Sequence, residues 1–221
     1  MRALMTTSGP EAEVELVDLP DPHPAAGQLR IRMVGAGVNA ADLNIIDGWG
    51  RESADGEAPP PLGLGLDVAG VVDLVGAGVD GFAPGTPVAA LTFPNAPHSV
   101  AGAAAEYVIV PAAHAAPVPD GLDLLDAATL PVNTLTVAQL LPRLGQPQGR
   151  RLLVTGAAGG LGGFAVALAA RAGWTVIALA RESAQGTLES RRAGTLPLTD
   201  AAVAYRALRA GGQRGSWVLT P

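Results

Sequence analysis

Over the first 120 residues the apolar positions come in short β-like runs, at 29–34, 68–75, 88–91 and 105–110. Turn signals such as Asp80-Gly81 and Ala83-Pro84-Gly85 separate them, and several short strands so punctuated predict a small β-barrel. Residues 123–141 mix polar and apolar positions at helical spacing, with Pro131 interrupting and Pro142 and Gly145 closing, which predicts a helical bridge. From Arg151 the pattern changes to strand, helix, strand. The tail from Leu196 reads as a helix over 200–210, stopped by Gly211-Gly212, and then a strand over 217–220. The predicted organisation is a barrel domain over 1–122, a helical bridge over 123–150, a βαβ unit over 151–195 and a C-terminal helix and strand over 196–221.

The candidate chemistry concentrates in the turn of the βαβ unit. Gly156, Gly159 and Gly162 are spaced GxxGxxG. The first permits a tight turn off the strand, the second lets backbone approach a pyrophosphate, and the third lets the helix pack close. A glycine triplet is a weak signal in a chain with 29 glycines. Its context strengthens it: Leu152, Leu153 and Val154 precede it as a strand, Phe164, Val166 and Leu168 follow at helical spacing, and a second strand runs from Trp174 to Leu179. Residues Gly156, Ala157, Ala158, Gly159, Gly160, Leu161 and Gly162 are therefore the expected dinucleotide-binding turn. The alternative is that these glycines serve close packing alone. At the end of the second strand a carboxylate would select NAD; here Arg181 stands there and Glu182 comes one step later, and a guanidinium pairs with the 2′-phosphate of NADPH.

Composition removes other chemistries. Charged residues are 15% of the 221, against about 25% in an average soluble domain, and the net charge is −6, so a nucleic-acid partner is not expected. Every one of the fourteen basic residues is arginine, which excludes Schiff-base catalysis and a lysine-dependent phosphate loop. There is no cysteine, and the spacing of His23, His98 and His114 fits no helical metal pair, so no metal site is expected. The uncharged stretch 152–170 approaches the roughly 20 residues that span a bilayer. Its five glycines and strand-like start fit a buried α/β unit better, so no membrane association is expected and the location is read as cytoplasmic.

Six segments together resemble the zinc-free medium-chain dehydrogenase/reductases, specifically the quinone oxidoreductase and enoyl reductase branch: GVNAADLNIIDG (37–48), GLDVAGVVDLVGAGV (65–79), GFAPGTPV (81–88), AAAEYVIV (103–110), LPVNTLTV (130–137) and GAAGGLG (156–162). The fold this implies is α/β plus β, a GroES-like β-barrel domain joined to a truncated Rossmann-type βαβ unit. In zinc-dependent relatives a cysteine ligand stands at the position of Asn39 and a histidine ligand at that of Leu66. The resemblance implies hydride transfer from NADPH to an activated C=C bond or a quinone, with a small-molecule substrate in the cleft between barrel and nucleotide unit. Asn39 then corresponds to a catalytic cleft asparagine whose amide could stabilise an enolate, its structural reading being a turn cap. Asn133 and Thr136 match positions near the cofactor, and Asn44 and Trp49 line the cleft mouth. Asp42, Tyr107 and Tyr205 read as structural.

The complete family fold has about four further strands with their helices after the second strand. Here only residues 182–195 occupy that place, and they are too polar to supply a βα unit. The remaining parallel pair would expose an edge and apolar faces, so a homodimer or other oligomer covering the shortened sheet is expected. A second function class stays open: a non-redox derivative, either a cofactor-free cyclase or isomerase or a structural partner of another enzyme.

Overall fold

The structure, a computed structural model, describes residues 1–7, 13–48, 60–93, 96, 99, 101–179, 192–213 and 215–221. Strands β1 (Arg2–Thr6) and β2 (Val14–Asp18) form an antiparallel hairpin. The ten-residue β3 (Gln28–Gly37) is the axis of the main sheet. After it come α1 (Ala40–Ile46), β4 (Asp67–Val75), β5 (Pro87–Leu91), β6 (Tyr107–Pro111) and β7 (Ala115–Pro117). Helices α2 (Leu124–Ala127) and α3 (Pro131–Leu140) make the bridge, separated where Pro131 opens the second helix. Then follow β8 (Arg151–Thr155), α4 (Gly160–Arg171), β9 (Thr175–Leu179), β10 (Arg192–Pro197), α5 (Ala201–Ala210) and β11 (Ser216–Thr220).

One edge of β3 pairs antiparallel with β4 along its whole length. Two strands share the other edge, β6 at Gln28–Arg32 and β11 at Ala36 and Gly37. Leu29, Ile31 and Met33 alternate into the core with Val68 and Val72 of β4 and Val88 of β5, as a half-buried strand requires. The pairing path runs β10-β11-β3-β4-β5-β7, and among the described residues no strand pair closes it. The expected barrel is therefore an open sheet here: the β1–β2 hairpin meets it only through single bridges, Ala3 to Ala105 and Met5 to Gly63.

The tail corrects the reading of 182–195 as polar linker throughout. Its last residues belong to β10, which runs parallel to β11 in the main sheet and leads through α5 into it, a second βαβ unit. The polarity that hid it has a cause distant in sequence, because Arg192 reaches Asp123 at 3.2 Å and Asp126 at 3.5 Å on the bridge. Leu198, in the turn between β10 and α5, is fully buried with Tyr205, Ala201 and Ile45, and fixes this unit to the core.

The other βαβ unit forms a separate two-stranded parallel sheet, β8 beside β9. Helix α4 buries Phe164, Val166, Ala167 and Ala169. On the sheet, Leu153 is 58% exposed, Ile177 45% and Leu179 58%. An apolar parallel sheet face in water is the state expected of the shortened unit. At its mouth Gly156 has φ of +66°, a left-handed conformation that glycine adopts without strain. A methyl on Gly162 would land on the Gly156 carbonyl oxygen, so the third glycine is what lets α4 close on the turn.

Two outcomes test this packing. Gly162→Ala gains up to about 1 kcal/mol of helix propensity but must force the turn open, and overpacking costs typically 1–3 kcal/mol, so a net loss of about 1–2 kcal/mol is expected in chemical denaturation. Leu198→Ala should cost about 3 kcal/mol, lowering Tm by roughly 6–12 °C in calorimetry, because it opens a cavity where the tail unit meets the core.

Candidate functional site

The site begins with a carboxylate where an apolar strand would not tolerate one unpaired. Asp67 opens β4, is fully buried, and lies opposite Gly37 on β3 and Leu91 on β5. Its Oδ1 accepts the Val132 N–H at 2.8 Å, one of the first-turn amides of α3 that lack a partner inside their own helix. Its Oδ2 accepts from Asn39 Nδ2 at 3.0 Å. The second Asn39 amide proton points to Gly37 O at 3.4 Å. Asn39 Oδ1 in turn accepts from Asn133 Nδ2 at 3.2 Å, and Asn133 also donates to Thr129 O at 3.3 Å.

This line of polar groups ends at the glycine turn. A methyl on Gly160 would lie 3.5 Å from Asn133 Nδ2 and 3.0 Å from Ser216 Oγ of β11. Three residues that the sequence singled out separately thus lie in succession, Asn39 at the N-cap of α1, Asn133 on α3 and Gly160 at the start of α4. Within the turn the amides divide. Ala157 N–H caps β9 by donating to Leu179 O at 3.2 Å, and Gly159 N–H donates to Gly156 O at 2.9 Å. The N–H groups of Gly160 and Leu161 open α4, the helix end where the dipole favours negative charge. A cavity of about 560 Å³ borders the turn, lined by Thr155, Gly156, Gly160 and Leu161 on one side and by Leu140 and Leu144 on the other. A second cavity, about 430 Å³ and apolar, lies against Leu130, Pro131, Thr134 and Leu135 of the bridge, with Leu91 and Phe93 opposite.

The remaining sequence candidates are placed differently. Thr136 is exposed, and its hydroxyl donates to Val132 O at 2.6 Å within its own helix. Asn44 is exposed in the middle of α1, outside the line just described. Arg181 and Trp49, like Glu182 and His98, lie outside the described residues. Tyr107 is half-buried under the Arg30 guanidinium, 4.7 Å from its ring centre. Among the described residues no cluster of three or more His, Cys, Asp or Glu could hold a metal, and no helix is long and apolar enough to cross a membrane.

Around Asn39 sits a second buried carboxyl. Asn39 is the N-cap of α1, and Asp42 reaches back to accept the Asn39 backbone N–H on Oδ2 at 2.8 Å. Asp42 Oδ1 has no hydrogen-bond partner, nor has the hydroxyl of Tyr205, buried on α5. Burial pushes Asp42 up to about 7, against the pull of the Asn39 and Gly65 backbone amides. Burial pushes Asp67 up to about 8, opposed by the bonds from Asn39 and Val132 and reinforced by the charge of Asp42. Burial, and then Asp42, hold the Tyr205 phenol well above its ordinary range. The sequence carried one signal of this: Asp67 is a lone acid inside GLDVAGVV, where an uncompensated carboxylate would be excluded.

Comparison with known proteins agrees with this geometry. Residues 25–120 match the alcohol dehydrogenase GroES-like domain. The chain is 37% identical over 166 residues to erythronolide synthase EryA2 of Saccharopolyspora erythraea, covering 75% of this chain and 4% of that one. It is 37% identical over 151 residues to a probable quinone oxidoreductase of Leishmania amazonensis, covering 68% and 40%. The chain therefore spans less than half the length of these curated relatives. Its fold matches the structure of a mycobacterial protein complexed with NADPH at a TM-score of 0.81 and 21% identity, over 100% of both chains. On its GroES-like sheet, its glycine turn and these matches, the chain belongs to the medium-chain dehydrogenase/reductase superfamily.

Proposed function

We propose that the chain is an NADPH-dependent reductase of the quinone and enoyl reductase type, delivering hydride to an activated C=C bond or a quinone. The observation that carries this reading is the continuity from Asp67 through Asn39 and Asn133 to the first turn of α4. It ties the barrel side of the cleft to the nucleotide turn. The turn itself fits a diphosphate: nothing lies within 4 Å of the side-chain direction of Gly156, and a methyl on Gly159 would meet only the Gly156 carbonyl. When bound, NADPH supplies the hydride. The amides of Gly160 and Leu161 hold its diphosphate, Asn133 braces the helix start, and Asn39 fixes Asn133. Arg181 is the candidate partner for the 2′-phosphate. A substrate of low polarity suits the apolar lining at Leu91, Phe93 and Leu130.

Asn39 bears on the second reading. Both of its amide protons are committed inside the protein, so in this arrangement it orients neighbours and has no donor free for an enolate oxygen. That, with a nucleotide sheet of two strands, favours a non-redox derivative acting as a structural partner of another enzyme. In either case a second copy or a partner chain over Leu153, Ile177 and Leu179 removes the exposed face.

Titration with NADPH, followed by the change in nicotinamide fluorescence, separates the two. The reductase reading expects saturable binding in the micromolar range and oxidation of the bound cofactor on adding an enone or quinone. Absence of binding at millimolar NADPH would sink it, and binding without turnover of any such acceptor would favour the structural reading.

A further inference from the structure

Among the described residues eight large hydrophobic side chains are exposed, and five of them form one continuous surface. Leu140, Leu153 and Leu161 border the cavity of about 560 Å³ beside the glycine turn. Ile177 stands opposite Leu153 across the β8–β9 pair, and Leu179 follows two positions on along the same face. The cavity also touches Leu152, Val154 and Thr155, so it meets four consecutive residues of a strand whose side chains alternate between faces. A cavity in contact with both faces of a strand borders its edge. Strand β9 occupies one edge of β8, so the cavity lies along the other, where no described strand pairs.

Charge is distributed around this surface with one sign. The stretch 127–179, which supplies all of it, contains four arginines and no acidic residue, in a chain of net charge −6 whose twenty acids lie elsewhere. Arg143 stands between Leu141 and Leu144, which line the cavity, and Arg151 lies on the exposed face of β8 two positions before Leu153. Arg2, Arg30, Arg192 and Arg209 in the rest of the chain each meet a carboxylate. Arg143, Arg150, Arg151 and Arg171 meet none among the described residues; Arg150 is held instead by the carbonyls of Leu144 and Gln146 and stacks on Trp174.

We propose that the free edge of β8 and the apolar surface beside it dock an extended strand from a separate, acidic protein partner. An unpaired strand edge asks for backbone donors and acceptors, which another strand supplies and the hydrocarbon of a bilayer does not. Apolar walls on both faces of β8 ask for a strand that is apolar on both sides, as in a buried parallel sheet. The unpaired arginines ask for carboxylates at its flanks. A second copy meeting this surface with the same surface would set arginines against arginines, since such a symmetric contact pairs each patch with itself. The inference does not rest on the reductase reading, because strand, surface and charges are the same whether or not NADPH binds.

The test uses the whole chain and three fluorescein-labelled peptides. The first has an alternating valine and isoleucine core flanked by glutamates, the second has the same core flanked by lysines, and the third is the first with proline at a central position. Fluorescence polarisation at low salt should show saturable binding of the glutamate peptide, at least about tenfold tighter than that of the lysine peptide, with the difference shrinking severalfold at about 0.5 M salt. The proline peptide, equal in charge but lacking a ladder N–H, should bind at least about tenfold more weakly than the first. The double variant Arg143→Glu, Arg151→Glu changes two exposed side chains and should reverse the preference between the glutamate and lysine peptides. Failure of the glutamate peptide to bind, equal binding of the two charged peptides, or equal binding of the proline peptide would each overturn the proposal. So would a dimer in sedimentation that saturating peptide does not dissociate, which would give the surface to a second copy. Flotation with phosphatidylserine-containing vesicles that the peptide does not compete would likewise overturn it, in favour of a membrane. Should the variant not fold, the three peptides on wild type still decide.

Discussion

The constraint on which the site depends is the burial of the Asp67 carboxyl group. Stripping a carboxylate of water is so unfavourable that it persists in an interior only where donors replace the water. Asp67 has two such donors and they come from different parts of the chain, one from the loop after β3 and one from the start of α3. To satisfy one side chain, the fold must bring the bridge helix against the sheet and hold Asn39 at the entrance to α1. The same demand fixes Asn133 one residue beyond Val132, and through it the approach of α4. A buried polar group, expensive unless its hydrogen bonds are met, thereby specifies how three elements meet.

The nucleotide unit obeys a weaker constraint. Its contacts with the rest of the chain run through α3 against α4 and the glycine turn, and its sheet has only two strands. Leu153, Ile177 and Leu179 stay about half exposed. The tail forms its own parallel pair beside β3 and adds Leu198, Tyr205 and Leu219 to the main core. The barrel-side half gains what the nucleotide half lacks.

Much of this was legible in the sequence because it depended on local pattern. Four of the main-sheet strands, the bridge helices broken at Pro131, the βαβ unit and the tail helix and strand follow from runs, turn residues and caps within one window. What escaped depended on partners far away. Strand β10 looks polar because Arg192 is matched by Asp123 and Asp126, about seventy positions earlier. Helix α1 is short, and its signal was the Asn39-x-x-Asp42 pair before Leu43, Ile45 and Ile46, which reads as a cap once a carboxyl at the third position is noticed. Barrel closure was unreadable because strand partnership is a property of the sheet. Asn39 was singled out as a cleft residue, and that its amide protons are both committed is visible only once Asp67 is placed beside it.

The division between a tightly determined half and a loosely determined one bears on how such a chain keeps a function. Groups held by several independent bonds resist displacement, since moving one of them breaks the rest. Asn39 has bonds to Asp67, Asp42, Gly37 and Asn133, so its position is insensitive to what happens in the two-stranded sheet. The first turn of α4 has no such bond among those described; Gly160 only packs close to Asn133 and Ser216. A partner that covered the exposed strands would therefore act on the site chiefly by steadying α4 and not by reshaping the Asn39 side. An occupant of that face would be a part of the nucleotide site in the energetic sense even if none of its atoms touched the ligand.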